Sequence, residues 1–241
     1  MLDKLNPFNI LFLDIETAPQ YSDFDQLPDR FKYLWEKKSE RIRSDEETAA
    51  DVYQRAGIYS EFGKIICISV GIFKQGNVSE YGFRVKSFYG DDEKALLEGF
   101  AEMLNKFSSK EDARLCAHNG KEFDFPYIAR RMLVNGLPIP DILNVPGKKP
   151  WEVQFLDTME LWKFGDYKNY TSLDLLTYIF NIPTPKDDID GSMVGKVYWE
   201  DNNIERIVHY CEKDTLAVAQ LFLRFRGQGL VDERDVENAT S

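Results

Sequence analysis

The sequence predicts an α/β domain built on a mixed sheet, and three observations carry that reading. Apolar, β-branched runs mark strands in its first third, helical spacing then alternates with short strand signals, and no internal repeat breaks the order. With 241 residues, 43% apolar and 14% aromatic, the chain can bury a sizeable core.

The first strand is NILFLDIE, residues 9–16, an apolar run that enters two acids. Side chains alternate faces along a strand, so Asp14 and Glu16 project to one side and Ile15 to the other. Residues 21–60 carry dense mixed charge with spaced aromatics and read as a helical insertion or lid. KIICISVGIF (64–73) and VSEYGFRV (78–85) flank a Gly76-Asn77 turn, which makes a three-stranded antiparallel start. DDEKALLEGFAEMLNKF (91–107) is a helix with aspartates placed to cap it, and ARLCAH (113–118) is the next strand. In NGKEFDFPYIARRMLVNG (119–136), Pro126 suits a first helical turn and Gly136 its end.

VQFLDT (153–158) reads as a strand and SLDLLTYIF (172–180) as a short helix stopped by Pro183 and Pro185. Residues 183–199 read as an ordered loop. The last helix starts near Asn202, with Asn202 and Glu205 as a capping box, and runs to about Phe225. The expectation is one domain over residues 1–230, followed by an acidic, frayed tail over 231–241.

The net charge of −11 argues against a broad basic face that holds long nucleic acid, yet a site that collects divalent cations must itself be acidic. Cys67, Cys116 and Cys211 form no C-x-x-C pair, suggest neither disulfide nor zinc, and read as small buried hydrophobes. No apolar run approaches the roughly 20 residues of a membrane span, and MLDKLNPFNI lacks the pattern of a secretion signal. The expected location is the cytoplasm, with no membrane partner.

An acid pair at the end of a buried strand is costly unless the charges are paired or bind metal, which singles out Asp14 and Glu16. Asp124 stands just before Phe125-Pro126, where it suits either a helix cap or a site. Asp214 suits either a solvated surface or a site. In HYCEKD (209–214), both His209 and Tyr210 precede Asp214 within a continuous apolar stripe. At about 100° per residue, Tyr210 lies roughly 40° from Asp214 and His209 roughly 140° away, so a helix already running at residue 209 selects Tyr210. His118 reads as a satisfied core histidine and Lys148-Lys149 as solvated. The Arg130-Arg131 and Arg224-Arg226 pairs suit phosphates or plain helix surface.

FLDIETAP, HNGKEFDFPYIARR and YCEKD together resemble the three exonuclease motifs of the DEDD family in its tyrosine branch, the group that includes polymerase proofreading domains. The closer similarity is to stand-alone predicted exonucleases related to the proofreading domain of family B polymerases, and it spans Asn9 to about Phe225. The resemblance implies a ribonuclease H-like fold and hydrolysis of nucleic acid one nucleotide at a time from the 3′ end. It implies Asp14, Glu16, Asp124 and Asp214 as the acidic quartet, with Tyr210 as fifth member. Beside the motifs, Asn119 and Phe123 suit either hydrogen bonding and stacking on the terminal nucleotide or turn chemistry and core packing, and Ile15 and Thr17 are further candidate substrate contacts. The histidine branch places a histidine five residues before its last aspartate, a spacing that His209 also meets.

Phosphodiester hydrolysis needs an activated nucleophile and neutralised charge on attacking and leaving oxygens, which two divalent ions supply. Four carboxylates suit Mg²⁺ or Mn²⁺ rather than zinc. The expected assignment has Asp14 shared by both ions, Glu16 and Asp214 on the ion that activates water, and Asp124 on the second. Tyr210 orients the water, since a phenol with an ordinary pKa near 10 is a poor base at neutral pH. The expected partner is a single-stranded 3′ end, DNA before RNA. The rivals are a silent nucleic-acid-binding scaffold and an oligonucleotide scavenger.

Overall fold

The computed structural model describes residues 2–166, 170–183 and 189–240; Pro185 lies outside the described residues. Six strands, β1 (Ile10–Pro19), β2 (Gly63–Gln75), β3 (Tyr81–Tyr89), β4 (Arg114–Ala117), β5 (Phe155–Asp157) and β6 (Val236–Asn238), form one sheet in the order β5-β4-β1-β2-β3-β6. The first three are antiparallel, while β4 and β5 continue parallel to β1 and β6 runs parallel to β3. This is the expected mixed sheet.

Seven helices flank it among the described residues: α1 (Asp29–Ser39), α2 (Glu93–Ser108), α3 (Asp124–Val134), α4 (Thr158–Lys163), α5 (Leu173–Ile179), α6 (Val194–Trp199) and α7 (Ile204–Phe225). None of the described helices is long and apolar enough to cross a membrane.

Strand alternation explains how β1 serves two cores at once. Leu11, Leu13 and Ile15 enter the cluster built on Phe100, Leu104 and Ile128. Ile10 and Phe12 point the other way, into Val218, Ala219 and Phe222 of α7. Phe12 is fully buried, its ring 5.6 Å from that of Phe222, and truncating such a side chain to alanine costs about 3–5 kcal/mol. Asp14 and Glu16 continue the Ile10–Phe12 series and so emerge on the α7 side of the sheet. A register shift between Glu16 and Thr17 then breaks the ladder with β2 just beyond the acid pair.

Four expectations need correction. Residues 194–199, read as loop, form helix α6, because Val194 and Val197 bury against Ala18 and Ile207. The N-cap of α7 is Asn203, whose side chain accepts the Arg206 N–H at 3.1 Å, while Asn202 occupies a left-handed conformation with φ 49°. Asp124 does not cap α3 but is its first residue, after Phe123.

The acidic tail is ordered over its described residues because its polar groups have partners. Asp235 is buried and accepts the amides of Asn77, Val78 and Ser79 at 2.7–2.8 Å, which clasps the β2–β3 turn. Asn238 and Thr240 donate to the buried Glu212 of α7, which also accepts from Ser87. The stretch between β1 and β2 is helical in part and packs around its own cluster of Trp35, Tyr53 and Phe62.

Candidate active site

The carboxylates gather where β1 meets α7. Along α7, Asp214, Val218 and Phe222 follow one another at helical spacing, so the stripe that packs on Phe12 carries Asp214 toward Asp14 and Glu16. Cys211, one turn earlier, sets its thiol 3.4 Å from both the carbonyl and Oδ2 of Asp14. Single ligand atoms of Asp14, Glu16 and Cys211 all lie within 4.8 Å of one another.

Asp124 arrives from the opposite side of the sheet. Strand β4 pairs in parallel with β1 up to Phe12 and Cys116, so the loop leaving Ala117 reaches the level of Asp14. That loop is held by Asp157 at the end of β5. Its buried carboxylate accepts the amides of Asn119 at 3.0 Å, Lys121 at 3.1 Å and Met159 at 2.9 Å. Gly120 has no room for a side chain, since an added Cβ would stand 2.4 Å from that of Ala117. His118 closes the same corner: it bonds Thr158 and the Thr171 carbonyl, both at 2.9 Å, and burial holds it below the usual histidine range.

Electrostatics mark the cluster as short of positive charge. Burial, then repulsion from Asp124 and Asp214, pushes the Asp14 carboxyl well up. Burial, then Asp14 and Asp214, does the same to Glu16. Burial pushes Asp124 up to about 7, against the opposing effect of its own amide and that of Ile15. Glu16 is only 7% exposed, with neither a hydrogen-bond donor nor a cation paired to it among the described residues, and Oδ1 of Asp124 is buried without a partner. Such groups fit hard cations, for which carboxylate oxygens are the ordinary ligands.

Tyr210 faces this cluster and His209 does not. The phenol of Tyr210 is hydrogen-bonded to Asp214, and burial together with Asp214, Glu16 and Asp14 holds its pKa far above the ordinary value. His209 is exposed, because α7 is already helical from Ile204, and lines a surface groove with Lys213 and Leu216 that Asp214 also borders, away from Asp14 and Glu16.

The four substrate-contact expectations divide. Ile15 buries its side chain in the core on the far face of β1, so only its main chain remains near the acids. Thr17 is half-buried beside the Tyr127 hydroxyl. Asn119 takes a left-handed conformation, φ 61°, and keeps a buried, unpartnered side-chain oxygen. Phe123 is half-buried against Tyr127, with ring centroids 5.4 Å apart. Arg131 is withdrawn from any phosphate role, since it is buried in an ion pair with Glu93 at 2.6 Å.

Two residues escaped the sequence reading. Cys211 is as buried as expected, but its thiol touches the Asp14 carboxyl rather than apolar neighbours alone. Asp157 positions the loop that carries Asp124, and its signal was available: FLD in residues 155–157 repeats the apolar-run-into-acid pattern of FLD in 12–14.

A family model described as "Predicted 3′-5′ exonuclease related to the exonuclease domain of PolB" matches residues 58–241. The match begins after Asp14 and Glu16, so these two join the site through geometry alone. Among solved structures, the family B DNA polymerase of the hyperthermophilic archaeon Pyrobaculum calidifontis is similar at a TM-score of 0.51 and 17% identity, over 89% of this chain. The chain spans 24% of that polymerase's length. The fold is thus ribonuclease H-like, as expected.

Proposed function

Because the chain belongs to the family of predicted 3′-5′ exonucleases related to the exonuclease domain of PolB, we propose that it removes nucleotides one at a time from the 3′ end of single-stranded nucleic acid, DNA in preference to RNA. The observation that carries this reading is the buried Glu16 carboxylate, without a donor or cation among the described residues, beside Asp14 and opposite Asp214 and Tyr210. A structural role offers no reason to assemble acids that raise one another's pKa in this way.

Asp14, Glu16, Asp124 and Asp214 would hold two divalent cations, Mg²⁺ or Mn²⁺. When bound, these cations neutralise charge on the scissile phosphate and lower the pKa of water. The remaining work falls to the chain. Asp157 and the Asn119–Phe123 loop fix Asp124 across the cleft from the β1 acids. Tyr210 stays protonated through the neutral range and orients the attacking water by hydrogen bonding, without taking its proton. Water adds to phosphorus and the bond to the penultimate 3′ oxygen breaks. The water's proton passes to that oxygen or to solvent, leaving a nucleoside 5′-monophosphate and a strand one unit shorter.

The test uses 5′-labelled single-stranded DNA and RNA with Mg²⁺, Mn²⁺ or EDTA, on wild type and Asp14→Ala. The expected result is a ladder that shortens from the 3′ end and needs both metal and Asp14. Cleavage that persists in Asp14→Ala overturns the site. No cleavage of either strand, with metal binding intact by calorimetry, moves the reading to a silent scaffold.

A further inference from the structure

The segment over 21–60 carries seven Lys or Arg against nine Asp or Glu, but its cations are concentrated in one stretch. Residues 30–43 hold six Lys or Arg against two Glu, a surplus of four positive charges in a chain whose balance is −11. Arg30, Lys37, Lys38 and Arg41 are all exposed. At about 100° per residue, Arg30 and Lys37 fall within roughly 20° of one another on α1. Lys38 lies about 100° further round, and Arg41 stands two residues beyond the end of α1 at Ser39.

Arg30, Lys37, Lys38 and Arg41 make no ion pair with the protein's own acids among the described residues. Among the described residues, the one ion pair made within 30–43 joins Lys32 to Asp25, at 3.9 Å. Arg30 and Lys37 instead sit 5.1 and 4.7 Å from the ring centroid of Tyr33, and Lys38 sits 4.2 Å from that of Tyr59. An aromatic face attracts a cation without cancelling its charge, so each stays available to an anion. Tyr33 is itself 42% exposed, so the stripe combines cations with an accessible ring.

The lobe is anchored beside the acids. It leaves β1 at Pro19, three residues after Glu16. It is pinned back by the Gln20 amide on the Phe62 carbonyl at 3.0 Å and the Tyr127 hydroxyl on the Gly57 carbonyl at 2.7 Å. The Trp35 indole bonds the Ala49 carbonyl at 2.8 Å, which fixes α1 within the lobe. A polyanionic strand whose 3′ end enters an acidic pocket needs cations elsewhere along its length. Cations interleaved with aromatics are what hold single strands without regard to sequence.

We propose that the basic and aromatic stripe of residues 30–41 is a tracking surface for the phosphates of a single-stranded nucleic acid, upstream of the 3′ end held at the carboxylates. This rests on the exonuclease reading for its orientation, but not for the binding itself. The probe is a 5′-fluorescein-labelled 20-nucleotide oligothymidylate, followed by polarisation across a salt series in full-length Asp14→Ala. It is compared with the same protein carrying Arg30→Gln, Lys37→Gln, Lys38→Gln and Arg41→Gln. A charge-conserving control carries Arg30→Lys, Lys37→Arg, Lys38→Arg and Arg41→Lys.

Neutralising four phosphate contacts is expected to make the slope of log affinity against log salt shallower by about 3. The unaltered stripe then loses about 50-fold more affinity between 50 and 200 mM salt than the neutral one. The charge-conserving control should keep the steep slope. In the Asp14 background restored to wild type, the preference for the 20-mer over a dinucleotide should fall at least tenfold.

An unchanged slope in the neutral variant overturns the proposal, as does failure of every form to bind the strand. A shift in sedimentation of the neutral variant from dimer to monomer, with strand binding intact, also overturns it and assigns the stripe to an acidic face of a second copy. A wild type that binds through the stripe but cleaves nothing leaves this surface standing and removes the exonuclease reading.

Discussion

Replacing Asp124 with asparagine should stabilise the metal-free protein at alkaline pH while destroying its response to metal. The Asp124 carboxyl is pushed up from 3.8 to about 7 by burial, so the folded state holds its proton where the unfolded chain has lost it. Stability from this group is therefore complete below about pH 4, falls as pH rises toward about 7 and is flat above. The span corresponds to about 4 kcal/mol, or about 8 °C in Tm for a chain of this length. The side-chain amide that Asp124→Asn introduces carries no charge, and its N–H₂ can donate to the neighbouring acids. Thermal unfolding in EDTA at pH 5 and pH 8 is the assay. Wild type should lose stability between the two values, and Asp124→Asn should lose several degrees less. Millimolar Mn²⁺ should raise the wild-type Tm well above that of the variant, since an ion that binds only the folded state stabilises it by mass action. Parallel pH responses for the two proteins in EDTA would refute the argument that burial holds the Asp124 proton in the fold.

Four other perturbations follow from the same geometry. Tyr210→Phe should lower kcat on the order of 10²-fold with little change in KM. His209→Ala should stay within about twofold, as surface changes do, and steady-state kinetics on a labelled strand would expose the reverse order as an error in the helix argument. Asp157→Ala removes the acceptor for the Asn119 and Lys121 amides, and should cost about 3 kcal/mol in urea denaturation at an unchanged m-value, with Asp157→Asn restoring part of it. Truncation after Leu230 strips Glu212 of two donors and the β2–β3 turn of its clasp. It should speed amide exchange at Asn77, Val78 and Ser79 far more than at the centre of β1.

The parts of this fold that could be read from sequence are those where one period governs. ILFLDIE alternates so strictly that the side on which Asp14 and Glu16 emerge follows from the backbone alone, and the stripe from Ile204 to Phe225 sets Tyr210, rather than His209, on the Asp214 face of the helix by angle. Where long-range partners decide, local signals mislead. The acids of the tail read as frayed because nothing nearby in sequence reveals that Asp235 will meet three amides from residues 77–79, or that Glu212 will meet Asn238 and Thr240. Helix α6 was hidden for the same reason: its order comes from packing on Ala18 and Ile207, not from any strong helical period of its own.

The acid cluster depends on a division of labour along single elements. On β1, Phe12 supplies apolar contact with Phe222 two residues before Asp14 turns the same face to charge. On α7, Val218 and Phe222 seat the helix that presents Asp214, Cys211 and Tyr210. Buried carboxylates raise the energy of the metal-free fold, and the neighbouring aromatic and aliphatic contacts are what offset it. Rigid packing immediately below the acids also keeps them from drifting apart to relieve their repulsion. The carboxylates therefore stay close together because the core beneath them does not yield.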